Sequence, residues 1–261
     1  MTENFIPESP KGQHKALAQA IELTKVDRVD RLLKHGVDPN GTDRYGRTHL
    51  MNAMTEHPHE DQVRVINALI NAGADPNAED DKGWTAMGPL IFYQPVWELI
   101  NLLLDRGYDL RRFPRDASML LSEALLYGEP AMIRRLVDMG IDPDQVQHQA
   151  ATSLEEQISW GGGTAENVAI LLEVGANPNR LDKAGQSPLV AAVRKRRDDI
   201  LRVLLKNGAD LDIPDKTDRT PLQIAERYGY WDSVELLGGR RPSAPLAQLR
   251  RTIGFITKIF D

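Results

Sequence analysis

The chain of 261 residues contains no cysteine. That absence excludes a disulfide framework, a thiolate nucleophile, cysteine-built zinc sites and iron–sulfur clusters, and it fits a reducing compartment. Aromatic residues are scarce, at 6%. No stretch approaches the roughly 18 consecutive apolar residues of a membrane-spanning helix. The opening residues MTENFIPESPKGQHK lack the basic and apolar regions of a secretory leader, which adds to the expectation of a cytoplasmic location. A formal net charge of −6 gives no global attraction to nucleic acid. There is no G-x-S-x-G elbow, no P-loop and no H-E-x-x-H pair, so the familiar hydrolase, nucleotide and zinc-protease chemistries have no carrier. What remains is the composition of a globular protein, 41% hydrophobic and 27% charged. At about 150 residues per domain there is room for one long or two ordinary domains.

The sequence does contain a repeat. GVDPN starts at Gly36, GADPN at Gly73, GYDL at Gly107, GIDPD at Gly140, GANPN at Gly175 and GADLD at Gly208. Successive glycines are 37, 34, 33, 35 and 33 residues apart. Each follows an apolar run of helical spacing, such as VDRLLKH, INALINA and LRVLLKN. The paired Leu or Ile side chains share one helix face, and the glycine supplies the left-handed backbone that ends the helix. About a dozen residues later Thr or Ser precedes an apolar residue, as in RTHL (47–50), QSPL (186–189) and RTPL (219–222). This reads as an N-cap, with Pro tolerated at the first helical position. The predicted unit is a helix, a tight turn, a capped shorter helix and then a projecting loop.

A period near 33 residues with a T-P-L-H-x-A signature resembles the ankyrin repeat. The match is carried by RTPLQIAERYGYWDSVELL (219–237) and QSPLVAAVRKRRDDILRVLLKNGADLD (186–212). The resemblance implies an all-α, ankyrin-type helical solenoid with projecting β-turn loops. Its units fall at 15–43, 44–80, 81–116, 117–150, 151–182, 183–215 and 216–240, preceded by a polar segment (1–14) and followed by a hinge and amphipathic helix (241–261). The departures cluster in the middle. TEHPHEDQ (55–62) lengthens the second unit, and WTAMGP (84–89) replaces the signature in the third. Met119 and Leu120 stand where Thr and Pro belong in the fourth, and the fifth has Gln157 where a small Ala packs, then an insertion at Trp160.

Such an array offers an elongated surface of loop tips and first helices, which suits a protein or extended peptide better than a small substrate. Tips are expected at 43–47, 80–84 and 111–116, then at 146–151, 182–186 and 215–219. The first three hold Arg44, Tyr45 and Arg47, then Lys82 and Trp84, then Arg111, Arg112, Phe113 and Arg115. Each sets one large ring beside at least one cation, the residue types enriched at binding hot spots, so these nine residues are the candidate partner-binding strip. The alternative is that the three rings pack on their own helices. Trp97 and Trp231 fall at positions expected in the core. Glu123, Glu155 and Glu156 are expected near the concave side and, with Asp80 and Asp81, make the surface mixed in sign. A mixed surface favours a protein over a polyphosphate track.

Other chemistry finds weaker support. Gly161, Gly162 and Gly163 follow a helix instead of a strand and lack G-x-G-x-x-G spacing, so they read as an inter-helix loop. His57 and His59 beside Glu56, Glu60 and Asp61 are ligand types, but His at i and i+2 do not share a helix face. No metal and no cofactor are assigned. In the C-terminal segment Leu246, Leu249, Ile253, Ile256 and Phe260 recur at helical spacing opposite Arg250, Arg251 and Lys258. A docked cap, a partner or self-association helix and a membrane-surface helix all remain open for it. The reading is a non-enzymatic module binding a protein partner. An inhibitor or immunity-type protein masking a toxin or enzyme, and an enzyme with an unrecognised pocket in the middle repeats, are the alternatives.

Overall fold

The computed structural model describes residues 6–54, 58–91, 95–144, 153–159 and 163–241. These hold fourteen helices and no named strand. In order they are α1 (Pro10–Glu22), α2 (Val26–Lys34), α3 (His49–Ala53), α4 (Glu60–Asn71), α5 (Gly88–Ile91), α6 (Trp97–Asp105) and α7 (Pro114–Leu126). Then come α8 (Pro130–Asp138), α9 (Ser153–Ser159), α10 (Ala165–Glu173), α11 (Pro188–Lys195), α12 (Asp198–Lys206), α13 (Pro221–Tyr228) and α14 (Trp231–Leu236). The chain divides into two compact units, residues 1–119 and 120–261. In the first, α1 packs on α2 and α3 on α4 as hairpins, while α1 stacks on α3 and α2 on α4. In the second, α11 with α12 and α13 with α14 form hairpins, and α10, α12 and α14 stack in series. The C-terminal segment 242–261 and the insertion centres 55–57 and 160–162 lie outside the described residues.

Both units are built on one register. Leu32, Leu69, Leu103, Leu136, Leu171 and Leu204 each precede their glycine by four residues, and all are buried to 1% exposure or less. A leucine so buried contributes roughly 2 kcal/mol. The glycines at 36, 73, 107, 140, 175 and 208 all take positive φ, between 80° and 103°. At Gly36, Gly73, Gly107, Gly175 and Gly208 no side chain or backbone crowds the missing Cβ, so backbone conformation alone demands glycine there. Each turn closes on the leucine carbonyl: Val37, Ala74, Tyr108, Ile141, Ala176 and Ala209 donate their N–H to it at 2.9–3.2 Å.

Side-chain amides tie neighbouring turns together. Asn40 Nδ2 donates to the Gly73 carbonyl at 3.0 Å while its Oδ1 accepts the Asp75 N–H at 2.8 Å. Asn77 repeats this with Gly107 and Asp109, at 2.9 and 2.8 Å. Asn179 does so with Gly208 and Asp210, at 3.4 and 2.8 Å. The bridge needs a side chain that donates and accepts at once, as a carboxamide does. Arg111 occupies the same register and has no acceptor. Asp144 there accepts the Asn177 N–H at 2.9 Å but has nothing to donate. Its Oδ1 is buried without a partner among the described residues, and burial holds its carboxyl above the usual carboxylate range.

Local caps set the helix starts. Ser9 Oγ accepts the Gly12 N–H at 3.2 Å and Pro10 follows at the first helical position, so α1 begins ahead of residue 15. Thr48 Oγ1 caps α3 through the Met51 N–H at 3.2 Å, and His49 stands where the signature has Pro. His49 is 4% exposed, and its Nε2 lies 3.4 Å from His14 Nδ1 on α1. Burial and the neighbouring His14 push its pKa down to about 4, against the opposing pull of Asp38 and Asp43.

Two outcomes follow from these side chains. Asp144→Asn supplies the missing donor and removes a buried charge. It should raise unfolding free energy at neutral pH by about 1 kcal/mol, with a smaller gain in acid, where Asp144 is already neutral; chemical denaturation at both pH values measures it. Between pH 6.5 and 4 the unfolded state takes up a proton that native His49 refuses. Stability should therefore fall as pH drops through that window, by about 3 kcal/mol in total. In His49→Pro that component of the pH dependence should vanish from the same titration.

Candidate functional site

The first two tips share one construction. Asp43 Oδ1 accepts the N–H groups of Tyr45 and Arg47 at 2.8 and 3.1 Å. Asp80 Oδ1 accepts those of Lys82 and Trp84, both at 2.9 Å. The same aspartates donate their own N–H to the Arg47 and Trp84 carbonyls, and Gly46 and Gly83 turn the chain at φ 73° and 76°. These bonds hold the Asp43 carboxyl below the usual range against the opposing effect of partial desolvation. A short polar side chain therefore folds the loop, and the residues between are left to face outward. The two tips also touch. Asp81 donates its N–H to the Tyr45 carbonyl at 3.1 Å, and a Cβ on Gly46 would fall 2.5 Å from Asp81 Oδ1.

Between them opens a cleft of about 700 Å³, lined by Tyr45, Arg47, Met51, Asp80, Asp81, Lys82, Trp84, Thr85, Gly88 and Pro89. Four of the nine candidate residues, Tyr45, Arg47, Lys82 and Trp84, lie on its wall. Tyr45 is 55% and Trp84 38% exposed. Met51 and Thr85 are wall residues that spacing did not single out; their signal is position, since Thr85 follows Gly73 by as many residues as Thr48 follows Gly36.

The third tip differs from expectation. The span 111–116 lacks the glycine of DRYGR and DDKGW, and Pro114 starts α7 inside it. Arg111 and Arg112 are exposed in the turn, whereas Arg115 lies in the first turn of a helix. Each ring still carries a cation: Arg44 lies 4.7 Å over Tyr45, Arg115 4.4 Å over Trp84 and Arg112 5.2 Å over Phe113. Arg112 also pairs with Glu79 at 2.6 Å, and half-buried Phe113 stacks on Tyr108 with centroids 5.2 Å apart. Phe113 thus covers the fold beneath it.

That fold contains a buried polar network behind the cleft wall. Tyr108 donates its hydroxyl to Asp116. Thr85 Oγ1 lies 2.9 Å from the Tyr108 hydroxyl, donates to Asp116 Oδ2 at 3.1 Å and accepts the Met87 N–H at 3.2 Å. All three side chains are 9% exposed or less. Burial, then the adjacent Asp116 carboxylate, push the Tyr108 hydroxyl far above its ordinary pKa. The phenol therefore stays a donor, fixing α7 against the start of the second cleft wall.

Several other expectations are corrected. Glu155 is buried at 8% exposure, and Glu123 and Glu156 are half-buried, so no open acidic strip forms there. Trp231 is in the core as expected, but Trp97 is half-buried. Gln157 is buried because Asn167 Nδ2 bonds both its Oε1, at 2.9 Å, and the Leu125 carbonyl, at 2.6 Å. His59 serves as the N-cap of α4, accepting the Gln62 N–H at 3.4 Å. Tyr108→Phe leaves the buried Asp116 short of its hydroxyl donor. A loss of about 1–3 kcal/mol in equilibrium unfolding is expected, with Trp84 fluorescence reporting a loosened cleft wall.

Comparison with known proteins agrees with this architecture. A family model described as ankyrin repeats in three copies matches residues 157–243. The ankyrin repeat protein YahD of Escherichia coli is 32% identical over 196 residues, which are 73% of this chain and 94% of that protein. The ankyrin repeat protein nuc-2 of Neurospora crassa is 30% identical over 213 residues, but this chain spans only 19% of its length. Among solved structures, the ankyrin repeat domain of Bcl-3 covers 90% of this chain at a TM-score of 0.59 and 22% identity, and all of that domain is matched. Registered leucines, glycine-ended helices, bridged turns and these likenesses agree: the chain belongs to the ankyrin repeat family.

Proposed function

We propose that this protein binds a partner protein through the cleft between its first two tips, with Tyr45 and Trp84 as anchors and Arg47 and Lys82 as polar contacts. Ankyrin repeats are generally protein–protein interaction modules without catalytic activity of their own, and the finer assignment rests on the cleft. The observation that carries it is two large exposed rings, 55% and 38% open, held on rigid turns around about 700 Å³ of open space. Rings fixed by their backbone lose little freedom on binding, which is what makes such residues strong contacts. Arg44 and Arg115, stacked on the two rings, and exposed Arg111 and Arg112 would add cationic contacts outside the cleft lining. Asp80 and Asp81 on the same wall as Lys82 make it mixed in sign, which suits a protein surface. An inhibitor masking an enzyme or toxin would use the same cleft, and the identity of the captured protein distinguishes that case.

The test is quantitative affinity capture by wild type, Tyr45→Ala/Trp84→Ala and a control, Leu211→Ala, altering an exposed residue of the second unit. The double variant should lose about 100-fold in affinity for the captured protein while its melting temperature stays near wild type. Equal retention by all three chains would sink the cleft assignment.

A further inference from the structure

The second unit has a surface of its own at the hairpin turns, independent of the tip cleft. Two of the described hairpin turns place a glycine in the left-handed region: Gly128 at φ 65° and Gly229 at φ 69°. Arg196 occupies the same turn position at φ 56°. The equivalence shows in the hydrogen bonds. Arg196 donates its N–H to the Val193 carbonyl and Arg197 to that of Ala192; Gly229 and Tyr230 do the same to Glu226 and Ala225. No φ requirement favours arginine over glycine there, and a side chain is strained in that conformation. Thr24 and Asp218 share that conformation at φ 50° and 59°; at Arg196 the strain goes with a side chain held against an aromatic ring, which points to its use.

The arginine is held in a defined place. Its guanidinium lies 5.3 Å over the Tyr230 ring, and Tyr230 stacks on Tyr228 at 5.7 Å and 20°. Tyr228 is 54% exposed, and Lys195 and Arg227 are exposed beside these residues in the chain. The surrounding carboxylates are committed elsewhere. Asp199 pairs with Arg197 at 2.7 Å, Asp215 with Arg194 at 2.5 Å, and Asp232 and Glu235 with Arg241. Asp198 accepts the Ser233 hydroxyl at 2.5 Å. Half-buried Glu226 is the opposing charge nearby in sequence. Among the described residues no ion pair joins Lys195, Arg196 or Arg227 to a carboxylate. Helix C-termini favour Lys195 and Arg227 on their own account, but Arg196 lies past its helix and gains least from that field.

We infer that Lys195, Arg196 and Arg227, with the Tyr228–Tyr230 stack, form a docking surface for an acidic peptide segment of a partner protein. Carboxylates would meet the three cations, and the open Tyr228 ring would take an apolar side chain between them. The short patch, interrupted by Glu226, favours a peptide over nucleic acid, whose phosphates call for a longer basic track.

The experiment measures anisotropy of fluorescein-labelled octaglutamate, octalysine and oligothymidylate with the full chain, alongside thermal melts. Octaglutamate should bind in a salt-sensitive manner, and Lys195→Ala should weaken it about three- to tenfold at unchanged melting temperature. Arg196→Gly should weaken it similarly and raise the melting temperature as strain is relieved. Arg202→Ala, an exposed cation on α12, and Tyr45→Ala/Trp84→Ala should leave it unchanged. The inference is overturned if octaglutamate does not bind, if Arg196→Gly binds it as wild type does, if Arg202→Ala weakens it equally, or if oligothymidylate binds more tightly. A fall in melting temperature for Arg196→Gly would likewise refute strain kept for binding.

Discussion

The structure depends on an apolar helix face that a single hairpin cannot cover. The buried leucine four residues before each glycine leaves water only when a neighbouring hairpin lies against it at the same register. Stability is therefore shared between adjacent hairpins. The glycine turn is what keeps register. It ends each helix at a fixed distance from that leucine and points backbone groups at the next turn, where Asn40, Asn77 and Asn179 bridge donor to acceptor. Asp144 shows the limits of tolerance: it retains half of the bridge and leaves one oxygen buried without a partner among the described residues.

The same economy shapes the surface. In the first two tips the aspartates turn inward to satisfy backbone N–H groups, and the rings and cations between them are displaced outward. Exposure of Tyr45 and Trp84 is thus a by-product of how the turn closes. Gly46 allows Asp81 to approach closely, and Gly88 and Pro89, which stand in the third unit where the signature fails, line the cleft wall.

Much of this was legible in one sequence because repetition acts as an internal alignment. Helix ends, turn glycines and the first two tips follow from the spacing of Gly36, Gly73 and their successors. Legibility failed where the repeat is degenerate. Phe113 and Arg115 read as tip residues by counting, yet Pro114 starts a helix in that span and Phe113 turns onto Tyr108. Glu155 reads as a surface charge and is buried. Gln157 reads as misplaced in the core until Asn167, ten residues away, is seen to satisfy it.

Sequence by itself determined the helical hairpin, its period, its caps and the family, because these rest on local backbone preference and on apolar spacing within one unit. Tertiary structure alone decided that Thr85, Tyr108 and Asp116 form one network across 31 residues, that Tyr45 and Trp84 face a common cleft, and that Arg196 rests on Tyr230. Those pairings depend on the distance and rotation between neighbouring hairpins. These are set by the summed packing of both faces, and no local pattern encodes that sum.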